Sequence, residues 1–316
     1  MSHSLLQERS TFIRAIRSFF YQREVMEVET PVLSTATTTD PHIDPFTTVS
    51  QGRDGEGPER LYLQSSPELF MKRLLAEESG AIFQLGPVFR AGEISTIHNP
   101  EFLMLEWYRP GFTMEHLMEE VEELVSNFVD LPSIERLTVA EAFQQVLGVD
   151  DLYATTAEQL RELALSMNLP SAAEMELEWD GWVDYLMVLA ITPSFAHAAL
   201  FLTHYPASQA ALAQISPEDS RVAERFELLL NGVEIANGFR ELQDADEQRH
   251  RFQLEQEERQ AEGLETIPMD EKFLSALKEQ GLPDCSGVAL GVERLMMLSM
   301  GKEDISEVMP FPIRQV

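Results

Sequence analysis

The stretch FRAGEISTIHNPEF, residues 89–102, crowds Arg90, Glu93, His98, Asn99 and Phe102 between two apolar runs. A guanidinium and an imidazole can grip phosphate oxygens and a planar ring can stack on a base, so the set suits an adenine nucleotide. A plainer reading fits as well, with Arg90 a surface ion-pair partner and His98 closing a loop. The stretch RFELLLNGVEIANGFREL, residues 225–242, contains Asn231-Gly232, the pair favoured where both central residues of a two-residue hairpin need positive φ. Such a turn pairs Leu230 with Val233 and Leu229 with Glu234, bringing Glu227, Leu229, Glu234 and Ala236 to one face. Two carboxylates so placed repel unless a cation lies between them, and hard oxygen ligands near phosphates suit Mg2+. Two solvated glutamates on an open sheet face fit the same pattern. Simple alternation sends Asn237, Phe239 and Glu241 to the opposite face, so Glu241 joins the site only if the strand is bulged, expected at Gly238. In SGVALGVERLMM, residues 286–297, the small Gly287, Ala289 and Gly291 permit close approach to a strand. Arg294 then falls in the first turn of a helix, where a cation is disfavoured unless an anion is near. An incidental surface arginine fits that motif equally.

These side chains need elements to hold them. IFQLGPVFR and FLMLEWY read as two strands, which makes the opening stretch a long hairpin loop. Alternation along the second strand sets Phe102, Met104, Glu106 and Tyr108 on one face and Leu103, Leu105 and Trp107, plain core, on the other. A helix is expected over residues 5–20, and YLQSSPELFMKRLLAEE reads as a strand entering a helix capped by Ser65 or Ser66, with Pro67 in its first turn. Further helices are expected over 114–128, 157–167, 245–263 and 270–280, a helical insertion over 135–184, and an exposed loop over 49–60. Helices mixed with mainly antiparallel hairpins imply an α+β fold.

The chain has 316 residues, 44% hydrophobic and 24% charged, enough for a full core. Residues 185–206 are apolar enough to span a bilayer, but Pro193, Ser194, His197 and His204 interrupt them, so a core helix followed by a buried strand is expected rather than a membrane span. Charges in the first 20 residues argue against a secretion signal, and the single Cys285 fits a reducing, cytoplasmic setting. A net charge of −31 opposes a polyanionic partner such as tRNA, although a generally acidic, soluble surface accounts for the charge equally well.

Taken in order, VETPVL around Pro31, FR…HNPEF and GVALGVER resemble motifs 1, 2 and 3 of the class II aminoacyl-tRNA synthetases, the lysyl enzymes in particular. LEWYRP, HYPASQAALAQIS, ANGFRELQDADEQ and PDCSGVALGVERL look like a paralogous group, the elongation factor P lysyl-ligases, and the resemblance spans nearly the whole chain. It implies a single class II catalytic domain that binds ATP with Mg2+. It assigns Arg90 to the α-phosphate, His98 and Arg294 to the outer phosphates, Asn99 and Phe102 to the adenosine, and Ile235 and Gly291 to the same ATP set. Glu227 and Glu234 become the Mg2+ carboxylates; Ser66, Pro67, Glu68, Glu106, Tyr108, Asn237, Phe239, Glu241 and Ala289 surround the amino-acid substrate. In the family a glutamate commonly stands two residues after the motif 2 arginine, whereas here Gly92 holds that place and Glu93 follows. Lysyl-tRNA synthetases carry an anticodon-binding OB domain ahead of motif 1; here motif 1 arrives by Pro31, so tRNA is not the expected acceptor. Ala289 stands where lysyl enzymes have glycine. The resemblance therefore implies (R)-β-lysine as preferred donor, elongation factor P as acceptor and a homodimer formed through motif 1. A free-standing lysyl-tRNA synthetase core and a non-catalytic ligand-binding regulator are the alternatives.

Overall fold

A computed structural model describes residues 3–51, 59–131 and 133–316. The chain divides into two compact units, residues 1–129 with 241–316 and residues 130–240.

In chain order the first unit begins with helix α1 (His3–Tyr21), the short strands β1 (Met26–Glu27) and β2 (Leu33–Ser34), β3 (Thr47–Ser50) and β4 (Glu59–Leu63). Helix α2 (Glu68–Ala76), strands β5 (Ile82–Phe89) and β6 (Glu101–Pro110) and helix α3 (Met114–Val125) follow. The second unit holds β7 (Glu135–Thr138), α4 (Val139–Leu147), α5 (Ala157–Ser166), α6 (Trp179–Leu186), α7 (Thr192–Ser194), β8 (Ala199–Thr203), β9 (Arg225–Leu230) and β10 (Val233–Arg240). The chain then returns to the first unit with α8 (Ala245–Ala261), α9 (Glu271–Glu279), β11 (Cys285–Gly291) and α10 (Val292–Ser299).

Strand order in the first unit is β1-β5-β6-β11, and a smaller sheet runs β2-β4-β3. The β5–β6 and β6–β11 pairs are antiparallel; β1 pairs parallel to β5. One face takes Phe83, Leu105, Trp107, Val288 and Leu290, all buried, as alternation requires. Phe20 of α1 stacks on Phe83 at 4.6 Å and meets Trp107 edge-on at 5.2 Å, and the Trp107 indole donates to Glu120 of α3 at 3.0 Å. Fully burying each such side chain contributes about 1.5–3 kcal/mol. The opposite face, with Glu106, Tyr108, Gly287 and Ala289, is left for other work.

In the second unit the order is β10-β9-β8-β7, antiparallel except for β7 alongside β8. The sheet buries Leu200, Leu202 and Leu229 against Phe143, Leu160, Trp182 and Leu186 of α4–α6. Thr138 and Thr156 each form a capping box, with Glu141 and Gln159, which fixes where α4 and α5 start.

The α+β reading holds, and no OB barrel occurs among the described residues. Two expectations need correction. Residues 49–50 and 59–60 are strand ends rather than loop, while the rest of that expected loop, 52–58, lies outside the described residues. Residues 135–184 hold helices but open on strand β7, whose partner β8 lies some sixty residues on and cannot be seen locally. The pairing is mainly antiparallel, as expected, with parallel pairs at β1 and β7. The apolar segment 185–206 is a helix end followed by the fully buried β8; no helix among the described residues is long and apolar enough to cross a membrane.

Candidate active site

The register of the first unit explains its open face. Glu106 of β6 sits opposite Gln84 on one side and Ala289 on the other; Tyr108 sits opposite Ile82 and Gly287, and Met104 opposite Gly86 and Gly291. Directly opposed residues share a face, so the small residues of β11 form a floor beneath Glu106 and Tyr108. At Gly287 an added methyl would fall well inside contact distance of the Tyr108 ring and Glu241 Oε1, so only glycine fits there. At Gly291 a methyl would meet nothing nearer than Arg294 at 3.6 Å, so that glycine is not required by the protein's own packing. Gln84 accepts from the Thr30 backbone N–H at 2.8 Å, tying the segment around Pro31 to this floor.

Glu106 is almost fully buried. One carboxylate oxygen accepts from the Tyr108 hydroxyl at 2.6 Å and the other from Ser66 at 2.9 Å. Ser66 also accepts from the Glu68 N–H at 3.0 Å, with Pro67 at the N-cap of α2, so one serine both starts the helix and holds the carboxylate. Lys72, one turn along α2, is 1% exposed and lies 2.6 Å from both Glu68 and Glu241. Sequence reasoning missed Lys72. Its i, i+4 spacing from Glu68 was visible, but the second partner comes from far along the chain.

The hairpin loop 90–100 carries the nucleotide candidates. The Arg90 guanidinium lies 5.4 Å from the Phe102 ring centre and 3.7 Å from Glu93. Among the described residues its Nε is buried without a hydrogen-bond partner, as suits a group awaiting an anion. Gly92 has φ +79°, a left-handed turn position that excludes a glutamate at low cost and explains why the carboxylate appears at Glu93. Arg294, in the first turn of α10, donates to His98 Nε2 at 2.6 Å and to the Ile97 carbonyl at 3.3 Å. On the other side of the ring, His98 Nδ1 faces Ser95 Oγ at 2.8 Å. Asn99 braces the loop: its amide donates to the Glu101 carbonyl at 2.6 Å and accepts from the Ile313 N–H at 2.9 Å. Glu293, also unforeseen, is buried between Arg9 of α1 at 2.6 Å and the Leu103 N–H at 2.9 Å, pinning the start of α10 to β6.

In the second unit Asn231 and Gly232 have φ of 52° and 75°, and the pairs Val233–Leu230 and Glu234–Leu229 are as expected. The bulge falls at Ile235 rather than Gly238, since Ala236 pairs with Leu228 and Asn237 with Glu227. It turns Asn237 onto the face of Glu227, where the amide donates at 3.4 Å, and buries Ile235; alternation alone had put them on opposite faces. Phe239 follows Asn237 on that face and packs on Ala210, Ala213 and Ala223. Arg225, not anticipated, donates to Glu227 at 2.7 Å and to Asn237 at 3.3 Å over the Tyr205 ring. Burial, then repulsion from Glu234, raises the Glu227 carboxyl to about 7. No cluster of three or more metal-ligating side chains occurs among the described residues. A pair of carboxylates fits Mg2+ nonetheless, because this ion commonly takes one or two protein carboxylates and completes its shell with water and substrate phosphates.

Burial raises the Glu106 carboxyl to about 8, with repulsion from Glu68 adding to it, and raises Glu241 to about 8 against the pull of Lys72. Each carboxyl then holds a proton in the folded chain that the unfolded chain has already released. This contribution to stability is complete below the ordinary carboxyl value of 4.5 and is lost as pH rises through 8. We expect the melting temperature of the ligand-free chain to fall from about pH 5 to about pH 8.5, by ~2–4 °C per kcal/mol, and Glu106→Gln to flatten that slope. Calorimetry across this range checks it; a melting temperature that rises over the window contradicts the burial argument.

A sheet face carrying buried acidic side chains, with a loop and helix start carrying cationic ones, belongs to an α+β core. The family model described as tRNA synthetases class II (D, K and N) matches residues 1–315, and the chain belongs to that family. It is 50% identical over 309 residues to a Proteus mirabilis protein named elongation factor P–(R)-beta-lysine ligase, covering 98% of this chain and 94% of that one. Proteins of the same name from Yersinia enterocolitica and Yersinia pestis are 48% identical over the same spans.

Proposed function

We propose that the chain is an ATP-dependent, AMP-forming ligase that activates (R)-β-lysine as an adenylate and transfers it to the ε-amino group of a lysine on elongation factor P. The observation that carries this reading is the set Glu68, Glu106 and Glu241 around Lys72, with Glu106, Glu241 and Lys72 buried and Glu68 part-exposed, three carboxylates against one resident cation, on the floor formed by Gly287 and Ala289. Desolvated ammonium groups need such partners, and the named relatives act on a diamine.

Glu68, Glu106 and Glu241, with Ser66, Pro67 and Tyr108, hold the two amines of the donor and leave its carboxylate pointing at ATP. Phe102 stacks on adenine; Glu93, Asn99 and Gly291 complete the nucleotide set. A carboxylate oxygen attacks the α-phosphorus as the bond to pyrophosphate breaks, and Arg90, His98 and Arg294 take up the charge on the phosphates. Glu227 and Glu234 would hold Mg2+, which supplies further neutralisation of phosphate charge. The neutral acceptor amine then attacks the acyl carbonyl, forming an amide and releasing AMP, and its proton passes to solvent. The chain works as a cytoplasmic ligase without tRNA. Exposed Met26, Val32 and Leu33 around Pro31 support a homodimer formed at that segment.

Mass spectrometry of elongation factor P incubated with the chain, ATP and either lysine isomer tests the reading. Addition of one lysyl group with the β isomer, and no charging of tRNA, is the expected result; tRNA charging without modification of the factor overturns it. Ala289 adds a methyl directly opposite Glu106. Ala289→Gly is therefore expected to improve kcat/KM for α-lysine by about tenfold, roughly what one methyl-sized contact discriminates, and unchanged or poorer α-lysine activation speaks against the pocket argument.

A further inference from the structure

Lys72 is the least expected group in the first unit. A lysine four residues after a glutamate on a helix normally makes a solvated pair, yet this ammonium is 1% exposed. Its second partner, Glu241 at 2.6 Å, is also fully buried and follows the end of β10. Burial of both groups is expensive, and an apolar residue of similar volume would commonly serve packing as well or better. The neighbours of Lys72 include the groups assigned to the donor's amines. Glu68 is on its own helix, Glu106 and Tyr108 are on β6, and Cys285 is on β11. Glu255 of α8, raised to about 7 by burial with a small contribution from Glu68, is held by Thr39.

We propose that Lys72 is a positioning residue of the amine pocket: its ammonium bridges Glu68 and Glu241, fixes their separation, and sets the charge balance so that the pocket takes a donor with two ammonium groups. This rests on the functional reading above. Three carboxylates and one lysine leave two negative charges when all are ionised, which two ammonium groups neutralise. Without Lys72 a doubly charged donor leaves one buried carboxylate uncompensated, and that carboxylate holds a proton to a higher pH. Tyr108 and Cys285 do not join this titration, since burial raises both well above their ordinary values. Against the cost of its own burial, Glu241 and then Glu68 keep the Lys72 ammonium charged.

The test compares Lys72→Met and Lys72→Arg in ATP–pyrophosphate exchange driven by (R)-β-lysine, across about pH 6–9. For Lys72→Met the KM for β-lysine rises about tenfold or more, with a smaller change in kcat, and the acid limb of kcat/KM moves up by about one pH unit. Lys72→Arg keeps the charge and restores the acid limb. A purely structural lysine would lower activity without moving the pH profile. If Lys72→Met does not fold, the double variant Glu68→Gln/Lys72→Met restores the net charge and carries the test: its acid limb matches that of the unaltered chain although its KM is raised. Normal exchange by the unaltered chain, with KM and acid limb unchanged in a folded Lys72→Met protein or an acid limb displaced in the double variant, overturns the assignment of Lys72 alone. Absence of β-lysine-dependent exchange in the unaltered chain overturns the functional reading and this assignment with it.

Discussion

An Arg294→Ala variant loses β-lysine-dependent ATP–pyrophosphate exchange by about 10²–10³-fold, the usual cost of removing one preorganised donor from a developing negative charge. The position of the residue carries the expectation. Arg294 lies in the first turn of α10, where the helix dipole disfavours a cation by ~0.3–1 kcal/mol at an exposed site. A bound polyphosphate reverses that sign, so the arginine is worth most when its ligand is present. Its guanidinium also lies 2.6 Å from His98 Nε2, so its loss releases the second side chain assigned to the phosphates. The buried pin at the start of the helix is Glu293 with Arg9, not Arg294, so the melting temperature should stay within a few degrees. Exchange rates at saturating ATP and β-lysine, read beside a thermal melt, decide the matter. A folded variant that keeps more than about a tenth of the activity would remove Arg294 from the phosphate site.

The second large effect is expected at Gly287. Glycine inside a strand normally weakens it, and alanine there should gain roughly 0.5–1 kcal/mol. Here the sign reverses, because the new methyl would overlap the Tyr108 ring and the Glu241 carboxylate, both buried and neither at the end of an exposed flexible chain. Overpacking of this kind costs about 1–3 kcal/mol. The displaced groups are those assigned to the donor amines. Gly287→Ala should therefore raise the KM for β-lysine by about 10²-fold, as expected for misplaced positioning groups, and lower the melting temperature. A variant at least as stable as the parent, with unchanged β-lysine activation, would show that the floor is not packed as described.

How much of this was readable beforehand depends on how far apart the partners lie. The hairpin turn at Asn231-Gly232 was legible because its φ requirement is local. Strands β5, β6 and β11 were legible from apolar runs of strand length. The bulge was placed at glycine, the residue that bends most easily, but it fell at Ile235, where strand pairing with Leu228 and Glu227 decides the matter. Strand β3 is exposed along its whole length, so it offers no alternation to read. Of the acidic set, Glu68, Glu106 and Glu241 were assigned through family motifs, whereas Lys72 and Arg225 were passed over. Each sits on the same strand or helix as one recognised glutamate, and only the fold shows that Lys72 is buried and that Arg225 pairs with Glu227.

The discontinuity of the first unit has a consequence for synthesis. Residues 130–240 are contiguous and carry their own core, so they can begin to fold while the rest of the chain is still being made. The opening 129 residues cannot finish: β11, the central neighbour of β6, and Glu293, the partner of Arg9, are separated from them by the whole intervening unit. During that wait the Phe20, Phe83 and Trp107 surfaces lie uncovered on their β11 side, which makes the nascent N-terminal portion, rather than the finished protein, the species most dependent on chaperones.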